Sequence, residues 1–442
     1  MIKRKDVQTI VKGDKRVVRG WVKYDWANSV YQLTIASAIF PIYYNTVTRT
    51  GDNFTVSFFG APLINTVLYS WAIAAAYLLV AIGSPLFSSM ADYTGRRKAF
   101  MRVFTIIGAT ACGALFFFDR NHVELGIIAF ALGTVGYGGS IVFYNSFLPV
   151  IADSKDQDRI SAAGYSMGYL GGVVLLLFNL LMIMKPALFG IAADSSLPAR
   201  ISFVTVFIWW IAFSQITFSR LPKYTFRKRM KRESVLTNGY KELRLVFIHI
   251  RKSYKLSMFL TGFFFLMMGV LTTMFMAATY GEKEMGMKED VLIPTILVIQ
   301  LVGMLGAWMF ARISEKLGNL RALMITIIAW TLICIGAYFI TNTVQFVTAA
   351  FFIGIVMGGS QSLARSTYSK MLPTGTTDHT SFFSFYDVME KLATVAGTFS
   401  FGVMEALTGS MRYSVLAITV FFMLSFFFML LLYLRTSIES RT

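Results

Sequence analysis

Several small groups of polar and ionisable residues interrupt the otherwise apolar stretches of this 442-residue chain, and their types could do chemistry. Near the start, Asp25, Asn28, Ser29 and Gln32 are spaced to share one helical face. Tyr144 and Asn145 close an apolar run, and Gln361 and Arg365 stand one turn apart in another. Asp387, Glu390 and Lys391 are followed on one face by Thr394 and Thr398. An arginine offers a carboxylate bidentate geometry. Asp25 or Asp387, facing a cavity, could exchange a proton during a conformational cycle. Plainer readings stand beside these. Asp25 would cap a helix, Asp387 with Lys391 would be a structural pair worth roughly 0.5 kcal/mol when exposed, and Arg365 would snorkel from an inner helix end. Two mechanisms stay open: the groups bind substrate, or they form an inner gate with substrate held nearer the midplane.

Other chemistries find little support. His122, His249 and His379 are scattered singly, while Cys112 and Cys334 each sit inside an apolar run, so neither a metal site nor a disulfide framework is expected. No cofactor is expected either. The chain has no phosphate-cradling G-x-x-x-x-G-K-[ST] string and no Ser-His-Asp pattern, which argues against ATP hydrolysis and against an enzyme.

The elements that position these residues follow from composition. With 56% hydrophobic and 14% charged residues, the chain exceeds what a soluble core needs and belongs in a bilayer. Runs of roughly 20 residues suffice to cross hydrocarbon. They occur near 26–46, 69–90, 99–118, 123–147, 161–184, 200–219, 256–280, 291–312, 321–341, 344–365, 382–406 and 413–435. Continuous apolar runs without alternation predict twelve helices, since backbone groups cannot stay unpaired in lipid.

The net charge of +18 is read as an orientation signal. Basic residues gather in the tail 1–24, in the turn at Arg96, Arg97 and Lys98, and in the segment 220–255, which places both termini in the cytoplasm. No removable signal peptide is expected within the first 24 residues. Within 220–255, Leu243, Val246, Phe247 and Ile250 repeat at helical spacing opposite Lys241, Arg244 and Arg251. That pattern predicts an amphipathic helix lying on an anionic inner leaflet rather than a nucleic-acid site. Short loops point to the cytoplasmic membrane of a cell, and a monomer is expected. A glycosylation sequon stands at Asn53.

The chain also repeats itself. Gly83, Asp92, Gly95 and Lys98 are matched at identical spacings by Gly306, Glu315, Gly318 and Arg321, and "YNSFLP" at 144–149 by "YSKMLP" at 368–373. The two matches share one offset to within a residue, so the chain reads as two six-helix halves, 25–219 and 256–435, with a tail at 436–442. Asp92 at a helix C-terminus opposes the helix dipole and needs a cation, which Arg96, Arg97 or Lys98 supplies. Each turn is therefore expected to act as a charged latch between two states.

The string "ADYTGRRK" at 91–98 resembles the signature of the major facilitator superfamily, with Ser88 where that family usually has its first glycine. "YDWANSVYQLTIASAIFPIYY" at 24–44, "AAGYSMGYLGG" at 162–172, "GGSQSLARSTYSKMLP" at 358–373 and "FFSFYDVMEKLA" at 382–393 resemble its vacuole-effluxer-like branch, related to fungal vacuolar amino-acid exporters. The resemblance implies an all-α membrane protein of the major facilitator fold. It further implies a secondary transporter for a small organic solute such as an amino acid or short peptide, with protons as a candidate coupling ion and a cavity lined by the first, fourth, seventh and tenth spans. A lipid transporter of the same fold is the alternative.

Overall fold

The computed structural model describes residues 11–48, 55–192, 196–223, 235–287 and 289–439. Arg49, the Asn53 sequon and the first ten residues lie outside them, as does 224–234. Helix dominates. The chain runs through α1 (Lys15–Val30), a π-helical stretch (Tyr31–Ile39), α2 (Phe40–Thr48), strands β1 (Thr55–Phe58) and β2 (Ala61–Ile64), α3 (Asn65–Thr94), α4 (Arg97–Ala114), α5 (Val123–Asn145), α6 (Leu148–Ile151) and α7 (Gln157–Met184). It continues through α8 (Leu197–Arg220), α9 (Val235–Lys252), α10 (Tyr254–Met285), α11 (Glu289–Leu317), α12 (Asn319–Tyr338), α13 (Thr343–Met371), α14 (His379–Thr408) and α15 (Met411–Glu439).

Among the described residues, ten helices are long and apolar enough to cross a membrane. Two of the twelve expected spans fall short. The run 26–46 is broken by the π-helical stretch, and α14, which holds 382–406, carries Asp387, Glu390 and Lys391 in its middle.

Three local features differ from the sequence expectation. The tail does not reach residue 24 as coil: Asp14 caps α1 by accepting from Arg16 N at 2.8 Å, and the basic stretch is wound into helix because Gly20, Trp21 and Tyr24 are buried. Thr217 Oγ1 donates to Gly20 O at 2.7 Å, so α1 and α8 meet where glycine leaves the backbone open. A hairpin interrupts the all-helical reading. β1 pairs antiparallel with β2, Val56 opposite Leu63, across a turn whose positive φ at Phe59 and Gly60 suits strand twist. Finally, α9 forms as an amphipathic helix, yet Val246 and Ile250 are buried, since α9 packs on α10 and α14, while Phe247 lies tilted beside Phe385 and stays half exposed.

The chain divides into two compact units, one of residues 14–144 with 167–228, the other chiefly of 145–166 with 229–442. The segment 145–166, which the repeat assigned to the first half, thus packs with the second unit. In the second unit the backbones of α11 and α13 approach until a Cβ on Gly358 would overlap Gly303 O and one on Gly306 would overlap Ile355 O. Small residues permit this, as is usual where helices meet in lipid.

Candidate functional site

In the first unit, α1 brings Asp25 and Asn28 into the interior, both buried. Asp25 lies ten residues inside α1, so it is not a cap; Asp14 fills that role. Tyr144, near the end of α5, donates from its hydroxyl to Asp25 Oδ2 at 2.7 Å. Its ring stacks on Trp21 with centroids 4.4 Å apart, and the Trp21 indole donates to Tyr144 O at 2.8 Å. Tyr24 Oη and Thr105 Oγ1 share a hydrogen bond of 2.6 Å beside them. The carboxylate is thus held by a donor whose own position is fixed by stacking, a bond worth roughly 1.5–3 kcal/mol when one partner is charged. Asn28 Oδ1 accepts from Ser29 Oγ at 3.4 Å, while Nδ2 has no partner among the described residues.

Gln32 is half-buried and is the second residue of the π-helical stretch. Ser37 Oγ donates to Gln32 O at 2.9 Å, five residues back, a local bond that competes with the α ladder and fits the widened turns.

The second unit holds three polar clusters. Arg365 on α13 is buried rather than snorkelling. Its Nε donates to Ser161 Oγ at 2.9 Å, Nη2 to Ser161 O at 2.7 Å and Nη1 to Asn145 Oδ1 at 3.3 Å, and the guanidinium lies 4.2 Å over the Tyr165 ring. Every guanidinium nitrogen is engaged, and the partners come from the segment 145–166. Gln361 sits one turn away and is half-buried.

A second cluster was not singled out in the sequence. Asp158 accepts from Lys370 Nζ at 2.7 Å, Ser314 Oγ at 2.8 Å and Asn319 Nδ2 at 2.7 Å, and Lys370 also donates to Asn319 Oδ1 at 2.8 Å. Lys370 stands inside the "YSKMLP" repeat, which is a sequence signal for it, whereas Asp158 belongs to neither repeat string.

The third cluster is on α14. Lys391 Nζ lies 3.2 Å from Asp387 Oδ1 and 3.0 Å from Glu390 Oε1, two carboxylates to one ammonium. Asp387 Oδ2 is buried with no hydrogen-bond partner among the described residues. Thr394 and Thr398 bond the carbonyls of Glu390 and Thr394 in their own helix, so they are turned inward along it.

The two matched turns differ. In the first, Gly95 closes α3 with φ +69° and Arg96 N donates to Ala91 O at 3.1 Å. Asp92 Oδ1 accepts from Arg97 Nε at 2.8 Å with both side chains buried, and Lys98 Nζ donates to Phe218 O and Leu221 O at the end of α8. In the second, Gly318 has φ +83°, but Glu315 is exposed and Arg321 Nε donates to Tyr433 Oη at 2.7 Å instead. The position matching Arg97 is Leu320, so the second turn has no cation at the place where the first holds its carboxylate. Ser88, the departure from the family pattern, is fully buried and its hydroxyl has no partner among the described residues.

Comparison with known proteins agrees with this architecture. A family model described as "Vacuole effluxer Atg22 like" matches residues 13–441. An uncharacterized MFS-type transporter, YxiO of Bacillus subtilis, is 26% identical, covering 91% of this chain and 92% of its own. Autophagy-related protein 22 of Kluyveromyces lactis is 22% identical over 93% and 92%. Among solved structures, the human organic anion transporter MFSD10 superposes with a TM-score of 0.74 at 13% identity, covering 95% of this chain and all of its own. The Escherichia coli fucose:proton symporter FucP superposes with a TM-score of 0.67 at 12% identity over 94% and 97%. Identities this low carry the fold alone, whereas the family match spans almost the whole chain: it is a multi-pass membrane protein that belongs to the vacuole effluxer Atg22-like family of MFS-type transporters.

Proposed function

We propose that this chain is a secondary transporter that moves a small organic solute by alternating access, with twelve membrane-crossing helices in two six-helix halves. An amino acid or short peptide is the favoured cargo and a proton the coupling ion. The observation that most supports this reading is a buried carboxylate in each unit beside the sequence-predicted polar face, Asp25 on Tyr144 and Asp387 on Lys391. A charge inside a membrane helix is costly and is kept where it does work on an ion or substrate. Taking up a proton removes that cost, so protonation biases whichever conformation buries the group.

Arg365 fits the gate better than direct capture of a substrate carboxylate, because its nitrogens are already engaged by Ser161 and Asn145. On this reading the polar ties of the segment 145–166 break and reform during the cycle, while the matched turns steady the helix ends. Both termini face the cytoplasm, α9 lies against the anionic inner leaflet of the cell membrane, and the working unit is a monomer.

The test begins with thermal stability of the purified full chain against amino acids, short peptides, sugars and nucleosides, since a ligand of the folded state raises apparent stability by mass action. Uptake into vesicles with and without a pH gradient follows, for the wild type, Asp25→Asn and Asp387→Asn. Stabilisation by amino acids or peptides, with gradient-driven accumulation lost in either variant, is the expected result. Wild-type accumulation by both variants would sink proton coupling, and stabilisation by lipids alone would replace the cargo with a lipid.

A further inference from the structure

The first unit carries a basic cavity beside its matched turn. Where the N-terminus of α4 meets the C-terminus of α8, a concave space of about 430 Å³ is lined by Arg96, Lys98, Ala99, Arg102, Phe218 and Lys223. The lining among the described residues is cationic and apolar and includes no carboxylate. Asp92, the acid of the adjoining turn, is buried against Arg97. The α4 N-cap is Arg96, which has no side-chain acceptor to offer, so the positive end of the helix dipole faces further positive charge. Lys98 is held at this mouth by the α8 carbonyls of Phe218 and Leu221, and the Arg102 guanidinium lies 6.0 Å over the Phe218 ring. Such an array is stabilised by an anion, and charge-assisted donors of this kind suit phosphate oxygens.

The surroundings say which anion. Beyond Arg102, α4 continues into the exposed Val103 and Ile106, and α8 runs back past the polar Ser219 and Gln215 to the exposed Ile208. In a membrane-crossing chain, exposed apolar residues of this kind face lipid tails. The cavity therefore stands at the water end of a greasy strip. We propose that it binds the phosphodiester headgroup of an anionic phospholipid, the phosphate among Lys98, Arg102 and Lys223 and the acyl chains along Val103 and Ile106. Basic pockets at membrane helix ends recognise headgroups by this combination of charge and neighbouring hydrocarbon.

The test compares three forms of the full chain: wild type, Arg102→Gln with Lys223→Gln, and Lys15→Gln with Arg19→Gln. The last removes the same charge from exposed positions on α1, outside the cavity lining. Each is titrated with vesicles of phosphatidylcholine containing phosphatidylglycerol or lacking it, and the lipid retained in mild detergent is read by native mass spectrometry. One basic residue near an anionic surface contributes about fivefold in affinity, so the cavity pair should lose about 25-fold for phosphatidylglycerol while the α1 pair stays near wild type. Arg102→Lys, which keeps the charge, should retain most of the binding and shows that loss in the double variant is not misfolding. Equal losses in the two double variants would mean diffuse attraction and overturn the site. Inorganic phosphate binding in detergent as tightly as phosphatidylglycerol would assign the cavity to a soluble anion and overturn the lipid.

Discussion

Lys370→Met weighs the buried ion pair that fastens the segment 145–166 within the second unit. The Asp158 side chain is 3% exposed and accepts three bonds, from Lys370, Ser314 and Asn319. Removing the ammonium leaves a carboxylate in the interior with two neutral donors. Breaking one partner of a fully buried pair costs about 3–5 kcal/mol. Two features lower the expectation here. The Lys370 side chain is 20% exposed, so water screens part of its attraction, and the bonds from Ser314 and Asn319 at 2.8 and 2.7 Å remain. A loss of roughly 2 kcal/mol follows. Asp158→Asn should cost a comparable amount, and the double variant should recover about 1 kcal/mol of the summed losses, because the second change no longer strands a charge. The assay is unfolding of the purified chain in mixed micelles with increasing sodium dodecyl sulfate, run as a four-member cycle. A Lys370→Met variant within about 0.5 kcal/mol of wild type, or strictly additive losses, would refute the argument, since either result means the pair is solvated and fastens nothing.

The two matched turns should respond unequally to the same change. Arg97→Gln strands the buried Asp92 and should cost about 3 kcal/mol, whereas Arg321→Gln, on an exposed side chain, should stay within about 0.5 kcal/mol of wild type in the same unfolding assay. At the α11–α13 contact, Gly358→Leu forces a side chain into the Gly303 carbonyl and should cost about 3 kcal/mol or abolish a monodisperse peak in size-exclusion chromatography. Gly336→Leu on α12, where a Cβ meets nothing within 4 Å, should elute as wild type.

The helices were legible because a bilayer admits so few backbone solutions: long apolar runs have to be helices, and α3, α4, α5, α7, α8, α10 to α13 and α15 coincide with predicted spans. Their ends were less legible. A basic stretch reads as solvated tail, yet Gly20, Trp21 and Tyr24 set one face of it against protein, and α1 therefore starts at Lys15 and leaves Asp25 in its interior. The Arg365 and Asp158 clusters were hidden for a different reason. Their partners are distant in sequence, Asp158 from Lys370 by 212 positions, and no local period points from one to the other. Arg365 and Asn145 were visible as single residues; their pairing, and Asp158 altogether, were not.

The repeat shows which part of the turn chemistry the backbone demands. Gly95 and Gly318 both take positive φ, which an L side chain resists, so glycine is retained where the chain must reverse. The charges answer to no such constraint. In the first turn, Arg97 turns back to Asp92, and Arg96 lines a basic cavity. In the second, Leu320 stands in the place of Arg97, and Asn319, in the place of Arg96, reaches Asp158 of the segment 145–166 together with Lys370. The first turn thus spends its charge on neighbouring helix ends and the second on a segment that is continuous at both ends with the first unit. Losing the tie made by Asn319 and Lys370 would weaken the hold on Asp158, which lies outside the turn at Gly318, whereas losing Arg97 would take the cation from Asp92 inside the turn itself. Of the two copies, the second is thus the one whose polar contacts lie apart from the reversal itself.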